Sequence, residues 1–422
     1  MALNQYRAIN DQSSSREDIM GKSFSTNWSE LTLGDRSKAN RLPYSVYYCL
    51  VVGLALIGLL DAIYLSISHY RVYTDTAYQS FCAISKAVNC DTVSQSPYST
   101  LIGVPVPVWG VLGYACFIII GFFAGQKQAE HKRLWASLQI IAVLFCLYSI
   151  VLALISTYWI HSYCIMCVVS YGVNLGLLFS VWIIRRRFDS TSWMIAIIAD
   201  WHYLTRNRMR FALAVVMPIV VAAMVILWFP EYWELVPAHE TNQVEKGIDE
   251  AGHPYFGSTE AEVTITEFAD YQCFQCRKMH YFLRRLIEQY PDRARLIHRH
   301  FPMDYTVNPG LKTNLHVGSG KMALLAIYAS AKDKFWLMND LLFGMAASKK
   351  NFNLQQVAEK TGIDQRELVW ALENKQVYQR LAMDLKKGGE LGLEGTPGFL
   401  IEGNVYQGNI PSEVLQRIFN IK

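Results

Sequence analysis

Tyr163-Cys164-Ile165-Met166-Cys167-Val168-Val169-Ser170-Tyr171 opens an apolar run that reaches Ile184, so a Cys-x-x-Cys pair stands at the mouth of a segment long enough to cross a bilayer. Three residues apart on a helix, Cys164 and Cys167 share one face and can close into a disulfide or open into a dithiol with little backbone movement. Two further pairs occur. Cys273-Phe274-Gln275-Cys276 follows an apolar strand pattern, and Cys82 and Cys90 stand in a polar loop. Three redox-capable pairs point to an electron relay.

The 422 residues are 52% hydrophobic with a mean hydropathy of +0.15, which suits a membrane part joined to a soluble part. A net charge of +4 argues against nucleic acid as a partner. Residues 1–43 are polar, lack the apolar region and cleavage site of a removed signal peptide, and read as a cytoplasmic tail. Five apolar runs follow, Tyr44–Ser66, Val104–Ala124, Leu134–Ile155, Cys164–Ile184 and Phe211–Phe229, each near the ~20 residues a spanning helix needs.

Arg36, Lys38 and Arg41 precede the first run; Lys127, Lys132 and Arg133 lie between the second and third; Arg185, Arg186, Arg187, Arg206, Arg208 and Arg210 lie between the fourth and fifth. The bias of basic loops toward the cytoplasm places all of these inside. The 71–103 loop, the 157–163 turn and everything after Phe229 then lie outside, and all six paired cysteines fall at that face, where disulfides persist. The expected location is the cytoplasmic (inner) membrane, with the N-terminus inside. Thr191–Trp201 is apolar but too short to span and is expected along the surface.

The expected domains are a membrane domain at 44–184, a basic connector at 185–210, a fifth span at 211–229, a linker at 230–253 and an outer domain at 254–422. In the last, Glu262–Asp270 is rich in β-branched residues and reads as a strand, followed by Cys273 at the start of a helix. Unpaired amides at a helix N-terminus stabilise a thiolate, so Cys273 is expected to be a nucleophile. A second strand, 293–301, a helical block over 311–391, a strand led by Thr396-Pro397, a short segment at 404–407 and a helix at 412–420 complete it.

That order of motifs resembles the thioredoxin fold in its DsbA-like form over residues 254–422. The resemblance implies a cis bond between Thr396 and Pro397 that faces the dithiol, and an acid, Glu267, that helps move protons. Phe274-Gln275 departs from the Pro-His of the best-known oxidants. Phe81-Cys82-Ala83, Asn89-Cys90-Asp91-Thr92-Val93, Ser96, Ser99 and Gly103-Val104-Pro105-Val106-Pro107, with CIMCVVSY on the fourth span, resemble the vitamin K epoxide reductase family. This second resemblance covers 44–184 and has the order of bacterial fusions of the two domains. On spacing alone Cys82 and Cys90 read equally well as a static staple or a shuttle; the resemblance implies a shuttle, and loop roles for Asp91 and Ser96 near the cofactor.

With span four entering from outside, Cys164 lies near the interface and Cys167 about one turn, ~5 Å, deeper. The shallow sulfur can exchange with a loop dithiol, and the deep one can face a lipid-soluble quinone, ubiquinone or menaquinone. Tyr171, on the same face, can hydrogen-bond a quinone carbonyl. Cys49, Cys116 and Cys146 read as packing residues, Asp61 as an intramembrane acid equally consistent with function and with a wet interface, His298 and His300 as ordinary histidines, and His280, on the helix after Cys276, as a neighbour of the dithiol; no metal is expected. The fold class is thus a five-span helical bundle followed by an α/β thioredoxin domain with a helical insertion. The chemistry is oxidation of reduced, unfolded secreted proteins through Cys273/Cys276, Cys82/Cys90 and Cys164/Cys167 to a membrane quinone. A reductive or isomerising relay is one rival, and a membrane anchor with structural disulfides is the other.

Overall fold

The computed structural model describes residues 42–85, 87–125, 134–188, 191–235, 244–311, 315–348 and 352–421. The tail with Arg36, Lys38 and Arg41, and the loop with Lys127, Lys132 and Arg133, lie outside the described residues. Among those described, five helices are long and apolar enough to cross a membrane: Tyr44–Thr74, Val106–Ala124, Trp135–Ile160, Ile165–Phe188 and Arg208–Trp228. Residues 42–50 contribute the start of the first, where Tyr44 stacks on Tyr48 at 6.2 Å.

The first helix does not end with its apolar run at Ser66 but continues to Thr74, because the residues in between include neither glycine nor proline. Its last turn is held by an Arg71–Asp75 ion pair of 2.9 Å. The second, third and fourth helices are tied together inside the bundle by polar side chains. Tyr114 donates to Asn174 Oδ1 at 2.7 Å, and Asn174 Nδ2 donates to Ser149 Oγ at 2.9 Å. Buried polar groups need such partners, since the surroundings offer no water.

The short apolar segment expected along the surface forms the helix Trp193–Thr205, with Met194, Ile195 and Ile198 exposed. Its other face is pinned to the bundle. Asp200 accepts from the backbone N–H of Leu134 at 2.5 Å and of Ser137 at 2.9 Å, capping the third span where a carboxylate is favoured by unpaired amides.

The outer domain is a six-stranded mixed sheet with helices packed against it. Its strands are β1 (Lys246–Ile248), β2 (Pro254–Phe256), β3 (Val263–Ala269), β4 (Ala294–His300), β5 (Gly398–Ile401) and β6 (Asn404–Gln407), in the order β1-β2-β4-β3-β5-β6. Only β3 and β4 run parallel, joined over the sheet by helix α1 (Phe274–Gln289). An insertion of α2 (Ser319–Ser330), α3 (Phe335–Ser348), α4 (Leu354–Thr361), α5 (Gln365–Glu373) and α6 (Lys375–Glu390) precedes β5, and α7 (Ser412–Phe419) ends the domain. Ile265, Leu296, Phe399, Met279, Leu283, Phe343 and Phe419 meet in its core.

One boundary needs correction. The stretch read as linker, 230–253, ends in β1, which pairs antiparallel with β2. Three residues centred on a glycine carry no alternation to read. The side chain of Tyr255 covers Gly247 so closely that a Cβ there would meet its hydroxyl oxygen at 2.7 Å.

Asp384, on α6 and 2% exposed, fastens this helix to β4: it accepts from Arg299 Nε at 2.9 Å and from the His300 backbone at 3.0 Å. Burial alone would raise its pKa, but His253, His300 and Arg299 lower it to about 2. Because the folded value lies below the ordinary one, this contribution is complete above the ordinary carboxylate range and is lost as pH falls toward about 2. Asp384→Asn is expected to cost about 2 kcal/mol at neutral pH, an order-of-magnitude figure. Thermal unfolding of the full chain between pH 7 and pH 3 should also lose part of its acid dependence in the variant.

Candidate active site

The loop between the first two spans carries Cys82 and Cys90, joined as a disulfide with Cα atoms 5.7 Å apart. Cys90 opens a short helix, Cys90–Ser94, capped by Asn89. Asp91 accepts from the backbone of Ser80 at 3.1 Å, and Ser96 donates to Val93 at 2.7 Å, so these hydrogen bonds shape the loop itself. The loop is stitched to the entry of the fourth span: Asn89 N–H donates to Tyr163 at 2.9 Å and Tyr163 N–H to Ala87 at 2.8 Å. Cys164 follows directly. Its sulfur packs in one buried cluster with Cys82 and Cys90, bordered by Cys167.

Cys164 and Cys167 are reduced, and the Cys167 backbone N–H donates to Cys164 Sγ at 3.3 Å. Tyr171 stands half-buried one turn further along the same helix face. Between Cys167 and Tyr171, Ser170 donates a short hydrogen bond to Asp61 Oδ2, while Asp61 Oδ1 is buried without a partner. Asp61 thus faces the cysteine-bearing helix rather than water.

In the outer domain Cys273 is the N-cap of α1, and its sulfur accepts from Cys276 N–H at 3.4 Å. The Thr396–Pro397 bond is cis, and the Thr396 carbonyl accepts from Cys273 Sγ at 3.4 Å. The proline loop therefore lies against the outer sulfur. Hydrogen bonding from Cys276, outweighing burial, lowers the Cys273 pKa below the ordinary thiol value. Burial raises Cys276, and the Cys273 sulfur adds to that rise. An attacking thiolate and a protonated, enclosed partner are the arrangement thiol exchange requires.

Glu267 is clasped in the core by two histidines, His280 Nδ1 at 2.5 Å and His298 Nδ1 at 2.6 Å. Asn339 fixes the proton on one ring. Its Oδ1 accepts from Tyr271, so its Nδ2 faces His280 Nε2, which must accept; the ring N–H then points at Glu267. Burial works against the charge of Glu267, yet the histidines outweigh it and hold its pKa at about 2. The three donor atoms lie within 4.8 Å of one another, as metal ligands would, but the protonated Nδ1 of His280 makes this a hydrogen-bonded cluster. His298, read from sequence as ordinary, and His280, read as a neighbour of the dithiol, are therefore both partners of Glu267.

The acid that acts on both sulfurs is Asp270, which sequence reasoning passed over. Its backbone N–H donates to Cys276 Sγ at 3.4 Å, and its carboxylate opposes ionisation of both thiols. His316 lies 3.0 Å from that carboxylate and favours the Cys273 thiolate. An acid three residues ahead of a Cys-x-x-Cys was a usable signal; a histidine far along the chain was not. His316→Gln is expected to raise the pH midpoint for alkylation of Cys273 in the reduced protein, and an unchanged midpoint would remove His316 from the site.

A bundle of long apolar helices with a cysteine cluster, joined to a thioredoxin-type dithiol domain, is an arrangement suited to thiol–disulfide exchange. Residues 49–182 match the model of the vitamin K epoxide reductase family, and residues 249–420 match that of thioredoxin. The chain thus carries a vitamin K epoxide reductase family domain followed by a thioredoxin-like domain.

Among curated proteins, the Na(+)/H(+) antiporter NhaA 3 of Salinispora tropica is 28% identical over 159 residues, 38% of this chain but only 23% of that one. The probable disulfide bond formation protein D of Bacillus cereus is 26% identical over 159 residues, 35% of this chain and 69% of its own length. A thioredoxin-like oxidoreductase from Silicibacter pomeroyi shares 26% identity at a TM-score of 0.34, over 41% of this chain and 92% of that structure. Wolbachia pipientis alpha-DsbA1 shares 19% at 0.33, over 41% and 92%. The fold rests on the strand order above, not on these low scores.

Proposed function

We propose that the chain makes disulfides in reduced, unfolded secreted proteins and delivers the electrons to a membrane quinone, ubiquinone or menaquinone. A client thiolate attacks the oxidised Cys273–Cys276 pair, a mixed disulfide forms at Cys273, and the client's second thiolate resolves it. The client leaves oxidised and Cys273/Cys276 hold two electrons and two protons. Cys273 then attacks Cys82–Cys90, Cys276 resolves that mixed disulfide, and the loop dithiol reduces Cys164–Cys167 by the same exchange. Cys164 and Cys167 close again as two electrons and two protons pass to the quinone, giving quinol.

The observation that carries this reading is the buried cluster in which the Cys82–Cys90 disulfide packs on reduced Cys164, with Cys167 at its border. Burial keeps bulky protein thiols and bulk water from the exchanging sulfurs, and exchange runs forward when each couple is more oxidising than the last, ~30 mV being worth about 1.4 kcal/mol. Tyr171 and Asp61 flank Cys167 where a quinone headgroup would be held and protonated. Arg185–Arg187 and Arg206–Arg210 orient the bundle with these loops in the cytoplasm, the three pairs outside and the N-terminus inside. The name of the Bacillus relative, a probable disulfide bond formation protein, agrees with this reading.

Purified chain in detergent, given a reduced unfolded protein and a soluble quinone, is expected to turn over, and Cys167→Ala to fall to background. Turnover that survives Cys167→Ala would place the quinone step elsewhere. Replacing Cys276 by alanine should trap a mixed disulfide from Cys273 to Cys82 or Cys90, identifiable by peptide mass spectrometry; its absence under every redox condition would count against the transfer between domains.

A further inference from the structure

The first membrane helix ends at Thr74 with carbonyls that have no intrahelical partner. One of these, Val72, and the adjoining Asp75 carbonyl both accept from the same ammonium group: Lys278 Nζ, at 2.5 Å and 2.7 Å. Lys278 belongs to the outer domain's dithiol helix α1 and is 3% exposed. A lysine that deep is stable only if its donors are used, and a cation suits the negative end of a helix.

Lys278 does not act alone. Phe274, four residues before it and on the same helix face, meets Tyr73 edge-on with centroids 5.1 Å apart, and Gln275 Nε2 reaches the Thr76 carbonyl at 3.5 Å. Phe274 and Gln275 are the two residues between Cys273 and Cys276. Tyr73 in turn donates to Ser94, in the short helix that Cys90 begins, at 3.1 Å. The platform that receives the dithiol helix therefore also holds the disulfide loop.

We infer that Phe274, Gln275 and Lys278 form a docking key that recognises the outer end of the chain's own first membrane helix, so that the residues between the two cysteines select the electron acceptor. This inference rests on the proposed relay and adds its specificity. The key covers the face that carries Cys273, so a client protein and the membrane domain compete for it. Lys278 is a positioning residue: it touches no sulfur in transfer but brings one domain to the other.

The test uses the full chain in detergent with Lys278→Met, which keeps the aliphatic stem, and Lys278→Arg, which keeps charge and donors. Quinone reduction driven by a reduced unfolded protein should fall about tenfold in Lys278→Met, about the worth of one charge-assisted hydrogen bond, and recover at least in part in Lys278→Arg. Reduction driven by dithiothreitol, which can reach the membrane cysteines without the outer domain, should stay at the wild-type rate in both. Labelling of Cys273 by a bulky maleimide in the reduced chain should be faster in Lys278→Met than in wild type, with or without quinone. Equal protein-driven rates in wild type and Lys278→Met, loss of both activities together, or unchanged labelling would each overturn the docking key. A wild-type chain that reduces no quinone from protein thiols fails the relay instead, and the labelling comparison still decides whether the key exists.

Discussion

Two backbone hydrogen bonds between the 87–89 segment and Tyr163 hold the membrane half's chemistry together. Without them the Cys82–Cys90 loop would be one more surface loop, free to carry its disulfide away from the bilayer. With them, the loop is drawn down onto the residue before Cys164, and sulfurs from two separate stretches share one buried volume. Main-chain pairing is a suitable tether because it fixes position without using any side chain the redox chemistry needs. The parallel bridge between Val88 and Tyr163 leaves the cysteines to either side to exchange.

The outer dithiol is governed by a different economy of charge. Thioredoxin-type sites need one sulfur easily ionised and the other protected, and here the difference comes from position on a single helix. Cys273 caps α1 and meets its first amides, whereas Cys276 points into the core with 0% exposure. Asp270 resists ionisation of both sulfurs, and His316 offsets that resistance at Cys273. Glu267, His280, His298 and Asn339 form a second network whose proton positions are set by hydrogen bonding. Two carboxylates near one helix thus have separate work: Asp270 acts on the sulfurs, and Glu267 is held by imidazoles.

Much of this was legible from residue order. The ~20-residue apolar runs, the β-branched stretch ahead of Cys273 and the Thr396-Pro397 step each depend on neighbours in sequence, and each stands close to where periodicity and turn chemistry put it. What escaped depends on distant partners. Lys278 reads as an ordinary charged residue on an amphipathic helix, and only the approach of Val72, more than two hundred positions earlier, buries it; the two are separated by 206 residues. His298 and His316 also meet their acids, Glu267 and Asp270, only through the folding of the chain. Strand β1 was missed for the opposite reason, being too short to display any period.

The Asp200 cap on the third span has a consequence for how the protein is made. The carboxylate and the Leu134 amide it binds are 66 residues apart, with the whole fourth span between them. During synthesis the third span must therefore enter the bilayer with its first amides still solvated, since the ribosome has not yet built the group that will satisfy them. The cap closes only after the fourth span has crossed back and the connector helix has emerged on the same side. It contributes nothing to insertion and everything to retention: once Asp200 is seated, pulling the third and fourth spans apart exposes buried amides and a carboxylate together.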